Sequence, residues 1–137
     1  MNDDFNGAEQ EGVGFYQVTQ KAGQRCSSAR AYLQPIRQRP NLTIITSALV
    51  SRVLFEGQRA VGVRYLDRRG ETVELRARRE VVLSGGAINS PQLLLLSGVG
   101  PRAELEKHRI TMVHDLPRVG QNLQDHLNVI VACRDLR

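Results

Sequence analysis

The chain has little of what would mark several common kinds of protein. No apolar run approaches the roughly 18 to 20 residues that a membrane-spanning helix needs. The opening residues, "MNDDFNGAEQEGVG", are acidic and polar. They have neither the basic start nor the apolar middle of a secretory signal. Cysteine is scarce: Cys26 and Cys133 lie far apart, and no Cys-x-x-Cys spacing occurs. Two reduced thiols in a reducing compartment are expected. His108, His114 and His126 show no ligand spacing with them, so no metal site is expected. A cytoplasmic location is expected, with peripheral attachment at the inner membrane as the alternative.

Aromatic residues make up only 4% of the sequence. That bears on the net charge of +5, which is almost all arginine. A basic chain can serve nucleic acid. The densest clusters here, Arg68-Arg69 and Arg76-Ala-Arg78-Arg79, have no rings interleaved with them, and a stacking platform requires rings. A solvated sheet face is the expected reading, without a nucleic-acid partner. What is present is ordinary for a globular protein: 41% hydrophobic and 24% charged residues in a length of 137, enough for one domain with a core.

The chain reads in three parts. In the first, "GVGFYQVTQ" predicts a strand over Val13 to Thr19, followed by a turn at Lys21 to Gly23. "SSARAYLQPI" predicts a short helix with Ser27 and Ser28 as N-caps, ended or bent by Pro35. The second part reads as strand throughout. "LTIIT" is apolar and β-branched, and "ALVSRVLF" leads to a turn at Glu56-Gly57-Gln58. "RAVGVRYL" places Val61, Val63 and Tyr65 on one face. "DRRG" is a turn with glycine last, and "ETVELRAR" alternates with Val73, Leu75 and Ala77 inward. This predicts an antiparallel meander with one wet face. Val81-Val82-Leu83 is instead a continuous apolar run, as in a strand buried on both faces of a parallel sheet.

The third part opens with "SGGAINSPQLLLLSGVG", Ser84 to Gly100. Ser90 is placed as an N-cap and Pro91 as the first helical residue. Leu93 to Leu96 fill one turn with apolar side chains on every side, which requires burial all round. Gly98 is the expected left-handed C-cap. A second helix is predicted over Pro101 to His108, then a short strand and turn in "ITMVHDLP" and a final strand in "HLNVIVAC". A strand, a glycine turn and a helix N-terminus in this order suit an anionic group: glycine lets a ligand approach the backbone, and free N–H groups and the helix dipole favour negative charge. "GVGPRA", Gly98 to Ala103, matches the dinucleotide fingerprint only by letter. It follows a helix and not a strand, so it is read as a connector.

The same residues resemble the second signature of the glucose-methanol-choline oxidoreductases, a family of FAD-dependent alcohol oxidases and dehydrogenases. The match comprises Gly86-Ala87, Ser90-Pro91, Leu93-Leu94 and Ser97-Gly98-Val99-Gly100. The flanks "TQKAGQRCSSARAYL", "NLTIITSALVSRVLFEGQRAVGV" and "DLPRVGQNLQDHLNV" are also similar, so the resemblance covers nearly the whole chain. It is nearest to the choline dehydrogenase and bacterial alcohol dehydrogenase branch.

The resemblance implies an α/β fold: part of a Rossmann-like FAD-binding domain with its antiparallel meander, plus part of the substrate-binding domain. Residues 1–40 would belong to the substrate domain, 41–121 to the FAD domain, and 122–137 to the return toward the substrate domain. It implies FAD as cofactor and a small alcohol, choline among the candidates, as substrate. Val50 would hold the adenine through its backbone. Ser84, Gly85 and Gly86 would lie against the phosphate or ribose. Gly85-Gly86 stands where Ala-Gly is commoner in the family. Asn122 lies in "NLQDH", which is similar to the loop returning past the flavin. His126 is not expected to be the catalytic base, because the family's base is a histidine in a later segment. No catalytic residue is expected in this chain. It would be the middle slice of a protein several times longer, with the remaining N- and C-terminal parts as its partners. The competing expectations are a non-catalytic remnant, a basic binding module, or a lyase that keeps FAD without using its redox chemistry.

Overall fold

The computed structural model describes residues 1–127 and 129. The chain divides into two compact units, Met1–Ile44 and a second that begins at Ile45. In the first unit, residues 1–14 form a loop tied together by Asn2. Its side-chain amide donates to the carbonyls of Glu9 and Glu11 at 2.8 and 3.1 Å, and its backbone N–H donates to Val13 at 2.9 Å. A small antiparallel hairpin follows, β1 (Gln20–Lys21) with β2 (Gln24–Arg25), turning at Ala22 and Gly23. Cys26 carries a free thiol; Cys133 lies outside the described residues.

Two expectations fail in this unit. Val13 to Thr19 forms no strand, because no neighbouring segment among the described residues offers it a ladder, and Phe15 and Tyr16 are exposed. The stretch from Ala29 forms not an α-helix but one π-type turn, Ala29–Leu33, and one 3-10 turn, Gln34–Ile36, that contains Pro35. Of the two serines, only Ser27 acts near a cap: its hydroxyl accepts from the Arg30 N–H at 3.4 Å. Ser28 makes no capping bond.

The second unit is built on a three-stranded antiparallel meander. Its strands are β3 (Leu49–Glu56), β4 (Arg59–Leu66) and β5 (Thr72–Arg76), in that order. Alternating β-branched residues and the two predicted turns account for it. Asp67 fixes the second turn, its Oδ1 accepting from the N–H groups of Arg69 and Glu71 at 2.8 and 2.9 Å. The predicted first strand, "LTIIT", stays irregular. Ser47 takes a left-handed φ of 55° just before β3 and breaks the extended path.

The register of β3 on β4 shifts between Val50 and Arg52. Val50 pairs with Tyr65, yet Arg52 pairs with Arg64, so Ser51 is a bulge. A bulge re-aims the side chains beyond it. Here it puts Val50 on the same face as Val53, Val63 and Tyr65. The other face carries Arg52, Arg64, Glu74 and Arg76, with ion pairs Arg64–Glu74 at 2.7 Å and Arg76–Glu56 at 2.6 Å. This is the solvated face expected of the meander. Leu75, expected inward, sits on the apolar face but is exposed, since β5 is an edge strand that α1 does not cover.

After β5 the chain runs from Ala77 to Gly85 without a ladder. Val81 to Leu83 is therefore not a strand. Val81 and Leu83 are half-buried while Val82 is 73% exposed. A run of three apolar residues needs cover on both faces, and the described residues supply it on one. Helix α1 (Gly86–Leu96) follows, then β6 (Val99–Gly100), α2 (Arg102–Lys107) and β7 (His114–Asp115), which pairs with β6 in parallel. The core gathers around α1, which packs on β3 and on β6: Val53, Val61, Val99 and Leu105 are buried, with Ser97 the buried polar residue among them.

Helix α1 starts earlier than Ser90 and Pro91 suggest. Gly85 is its N-cap, and both residues lie inside it. Ser90 turns its hydroxyl back to accept from the Gly85 N–H at 2.9 Å. Pro91 offers no N–H to the carbonyl of Ala87, so one rung is lost there. The leucine turn is not buried all round either: Leu93, Leu94 and Leu95 are half-buried and Leu96 is exposed. Gly98 does end the helix with φ 87°, its N–H donating to Leu95 at 3.0 Å. The final predicted strand, "HLNVIVAC", falls largely outside the described residues.

Candidate functional site

Helix α1 stands between two clefts. The first, about 460 Å³, opens between β3 and α1 and is lined by Val50, Val63, Ser84, Gly85, Ser90 and Leu93 among others. Three of the residues singled out in the sequence, Val50, Ser84 and Gly85, thus come together from segments far apart in the chain. The bulge at Ser51 is what turns Val50 into this cleft, and no local sequence signal announces it. The half-extended run Val81 to Leu83 forms the floor between them.

Gly86 begins α1 beside this cleft. Its φ of 85° is one that side-chain-bearing residues rarely adopt, and a Cβ built on it would meet nothing within 4 Å. The backbone is open to an approaching group there. The first turn of α1 has no side-chain cap and no acidic residue. Its leading N–H groups have no intrahelical acceptor, and their partial positive charge is not neutralised locally. An anion that reached this turn from the cleft would find donors already aimed outward. A group that is part apolar and part anionic fits such a site, with Val50 of β3 and Val63 of β4 at one end and the glycine turn at the other.

Asn122 is not brought to these residues. It lies across α1, in a second cleft of about 720 Å³ lined by Ala87, Ile88, Pro91, Gln92 and Leu95 on the helix and by residues 120–124. Its own φ is 56°, so the loop turns sharply at it. Gln92 lines both clefts. His126 is exposed on the same loop, its N–H donating to the Asp125 carboxylate at 2.8 Å. Among the described residues, no three His, Cys, Asp or Glu side chains converge as a metal site would require, and no helix is long and apolar enough to cross a membrane.

The residue that sequence reasoning missed is Ser97. It appears in the signature only as a letter before a glycine. In the structure it is fully buried, and its hydroxyl accepts from the Val53 N–H at 2.8 Å while donating to the Leu93 carbonyl. Asp115 carries no sequence signal of its role either. Its Oδ1 accepts from the Arg102 N–H at 3.1 Å and so satisfies the start of α2.

Comparison with known proteins defines the class to which this arrangement belongs. Residues 1–128 match the family model described as GMC oxidoreductase. An alcohol dehydrogenase [acceptor] of Pseudomonas putida is 60% identical over 134 residues, 97% of this chain and 24% of that protein. An oxygen-dependent choline dehydrogenase of Pseudomonas putida is 58% identical over 135 residues, 96% of this chain and 24% of that protein. Among solved structures, an FAD-dependent oxidoreductase from Chaetomium thermophilum superimposes with a TM-score of 0.68 at 42% identity, covering 71% of this chain and 17% of that one. The chain belongs to the GMC oxidoreductase family. It spans about a quarter of the length of the curated relatives it matches. The mixed α/β fold class and the family expected from the signature both stand.

Proposed function

We propose that this chain is part of an FAD-dependent oxidoreductase that oxidises an alcohol at its CH–OH carbon, and that it supplies the adenosine and phosphate side of the cofactor site. The observation that carries the reading is the cleft that gathers Val50, Ser84 and Gly85 beside the uncapped start of α1. In it, the backbone at Val50 would hold the adenine. Ser84 and the turn at Gly85-Gly86 would hold the ribose and phosphates, with the α1 N–H groups offsetting their charge. Asn122, across the helix, would line the path toward the flavin. A bound FAD would supply the hydride acceptor for the alcohol carbon. The residues of this chain bind and orient; none serves as acid or base, and His126 has no such role.

In this reading, residues 1–40 belong to the substrate-binding domain, 41–121 to the FAD domain, and 122–137 lead back toward the substrate domain. A small alcohol is the substrate class that the relatives' names support, choline among them. Expression of the complete coding sequence tests this. The purified protein is expected to carry a flavin absorbance spectrum that bleaches on addition of a primary alcohol without oxygen. Gly85→Val, whose Cβ would crowd Asn89 Cβ at 3.1 Å and so distort the turn that lines the cleft, is expected to remove the flavin. In-frame stops on both sides of this stretch in its source DNA would instead make it a non-catalytic remnant, and the reading would then describe ancestry.

A further inference from the structure

One buried hydroxyl joins the two walls of the cleft without lining it. Leu93 of α1 lines the cleft. Val53 lies on β3, on the same face as Val50, because of the bulge at Ser51. Ser97, only 1% exposed, donates to the Leu93 carbonyl and accepts from the Val53 N–H at 2.8 Å, spanning 44 residues of chain. Donor and acceptor capacity are both used away from water. The neighbouring tie from Arg52 Nε to the Leu96 carbonyl is longer, at 3.3 Å, and exposed. Exposed bonds compete with solvent, whereas a buried amide deprived of its acceptor bears the full desolvation penalty. The separation of α1 from β3 therefore depends on Ser97 more than on Arg52.

The geometry points to Ser97 as a positioning residue for the adenosine end of the cofactor: its hydroxyl sets how far Gly85 and Leu93 stand from Val50. This rests on the reading that the first cleft takes the adenosine of FAD. Without the hydroxyl, the Val53 amide has no acceptor, and α1 is free to draw away from β3. The cleft then fits an adenine nucleotide less well, although no group that touches the nucleotide has changed.

The test uses the full-length enzyme containing this chain, stripped of flavin, with ADP and FAD titrated calorimetrically. Ser97→Ala is expected to weaken both by about tenfold, the equivalent of one buried hydrogen bond. Leu105→Ala serves as the control. Leu105 is equally buried but lies on α2, in neither cleft. It is expected to lower Tm at least as far and to leave ADP affinity unchanged. If Ser97→Ala leaves ADP affinity unchanged, or if Leu105→Ala weakens it equally, the positioning role is overturned. Gly85→Val separates the two readings. If Gly85→Val weakens ADP and Ser97→Ala does not, only the role of Ser97 fails; if Gly85→Val has no effect, the cleft assignment itself fails. Should Ser97→Ala not accumulate as folded protein, Ser97→Cys, of nearly the same size, is read by the same criteria.

Discussion

The hydroxyl of Ser90 accepts a hydrogen bond from the backbone N–H of Gly85 at 2.9 Å, reaching back over the first turn of α1. Ser90 stands five residues after the N-cap, beyond the third helical position from which a capping box closes, so the bond ties the turn back on Gly85 without capping the N–H groups that follow. The bond closes the glycine turn on itself and leaves the N–H groups after it unoccupied. Ser90→Ala is expected to cost the turn about 1 kcal/mol, as for one lost hydrogen bond. Because Gly85 is exposed, the effect is local. Amide exchange in the full-length protein is expected to quicken at Gly85 and Gly86 and to stay unchanged at Leu105.

Gly98 is constrained twice. Its φ is 87°, and a Cβ there would lie 2.3 Å from the Thr111 carbonyl oxygen. Gly57 has a similar φ of 59° but nothing within 4 Å of its Cβ position. Both alanine variants incur the left-handed backbone penalty of about 1 kcal/mol; only Gly98→Ala adds a backbone clash, for a total on the order of 3 kcal/mol. Thermal denaturation of the two variants should separate them clearly, with Gly98→Ala the less stable. Equal Tm values would mean that the chain beyond α1 yields easily.

The elements that sequence reasoning located are those whose causes are local. β4 and the Asp67 to Gly70 turn follow from alternation and from an Asx turn that closes within four residues. Elements with distant causes were misplaced. Val13 to Thr19 and Val81 to Leu83 have strand composition, but a strand also needs a neighbour, and composition does not state whether one is present. At α1 the letters misled in the opposite direction. Ser90-Pro91 imitates a cap and a first residue, whereas the helix begins at Gly86, which has poor helical propensity and a left-handed φ. The candidate site was half legible for the same reason. The glycine turn is visible in the sequence, but Val50 enters the cleft through a bulge, and Ser97 finds its partner on another strand.

Arg64 stands between Arg52 and Glu74 across the three strands, and its guanidinium meets the Glu74 carboxylate at 2.7 Å with both side chains about half exposed. Glu74→Gln removes the pair and leaves two arginines opposed. At such exposure the expected loss is under about 1 kcal/mol. Screening decides the test: the difference from wild type in Tm is expected to shrink as salt rises toward about 1 M, where the Debye length falls to about 3 Å. A large, salt-insensitive loss would show that the wet face of the meander is covered in the complete protein.

The chain expressed alone is expected to self-associate. Val82 is 73% exposed, and Leu49 and Leu96, which line the first cleft with it, are exposed as well. Exposed apolar residues scattered singly are ordinary, but a contiguous group beside an extended segment with an unpaired backbone invites pairing between chains. The buried core is correspondingly small, four hydrophobic side chains among the described residues. Stability from burial scales with the apolar area removed from water, so little opposes opening of the unit. Size-exclusion chromatography with light scattering is expected to show oligomers or aggregate, thermal unfolding to be broad, and flavin binding to be weaker than micromolar. A soluble monomer with a sharp cooperative transition would mean that α1 and the meander suffice as a folding unit. The exposed face would then have to be stable in water without the three-quarters of the relatives' length that lies beyond this chain.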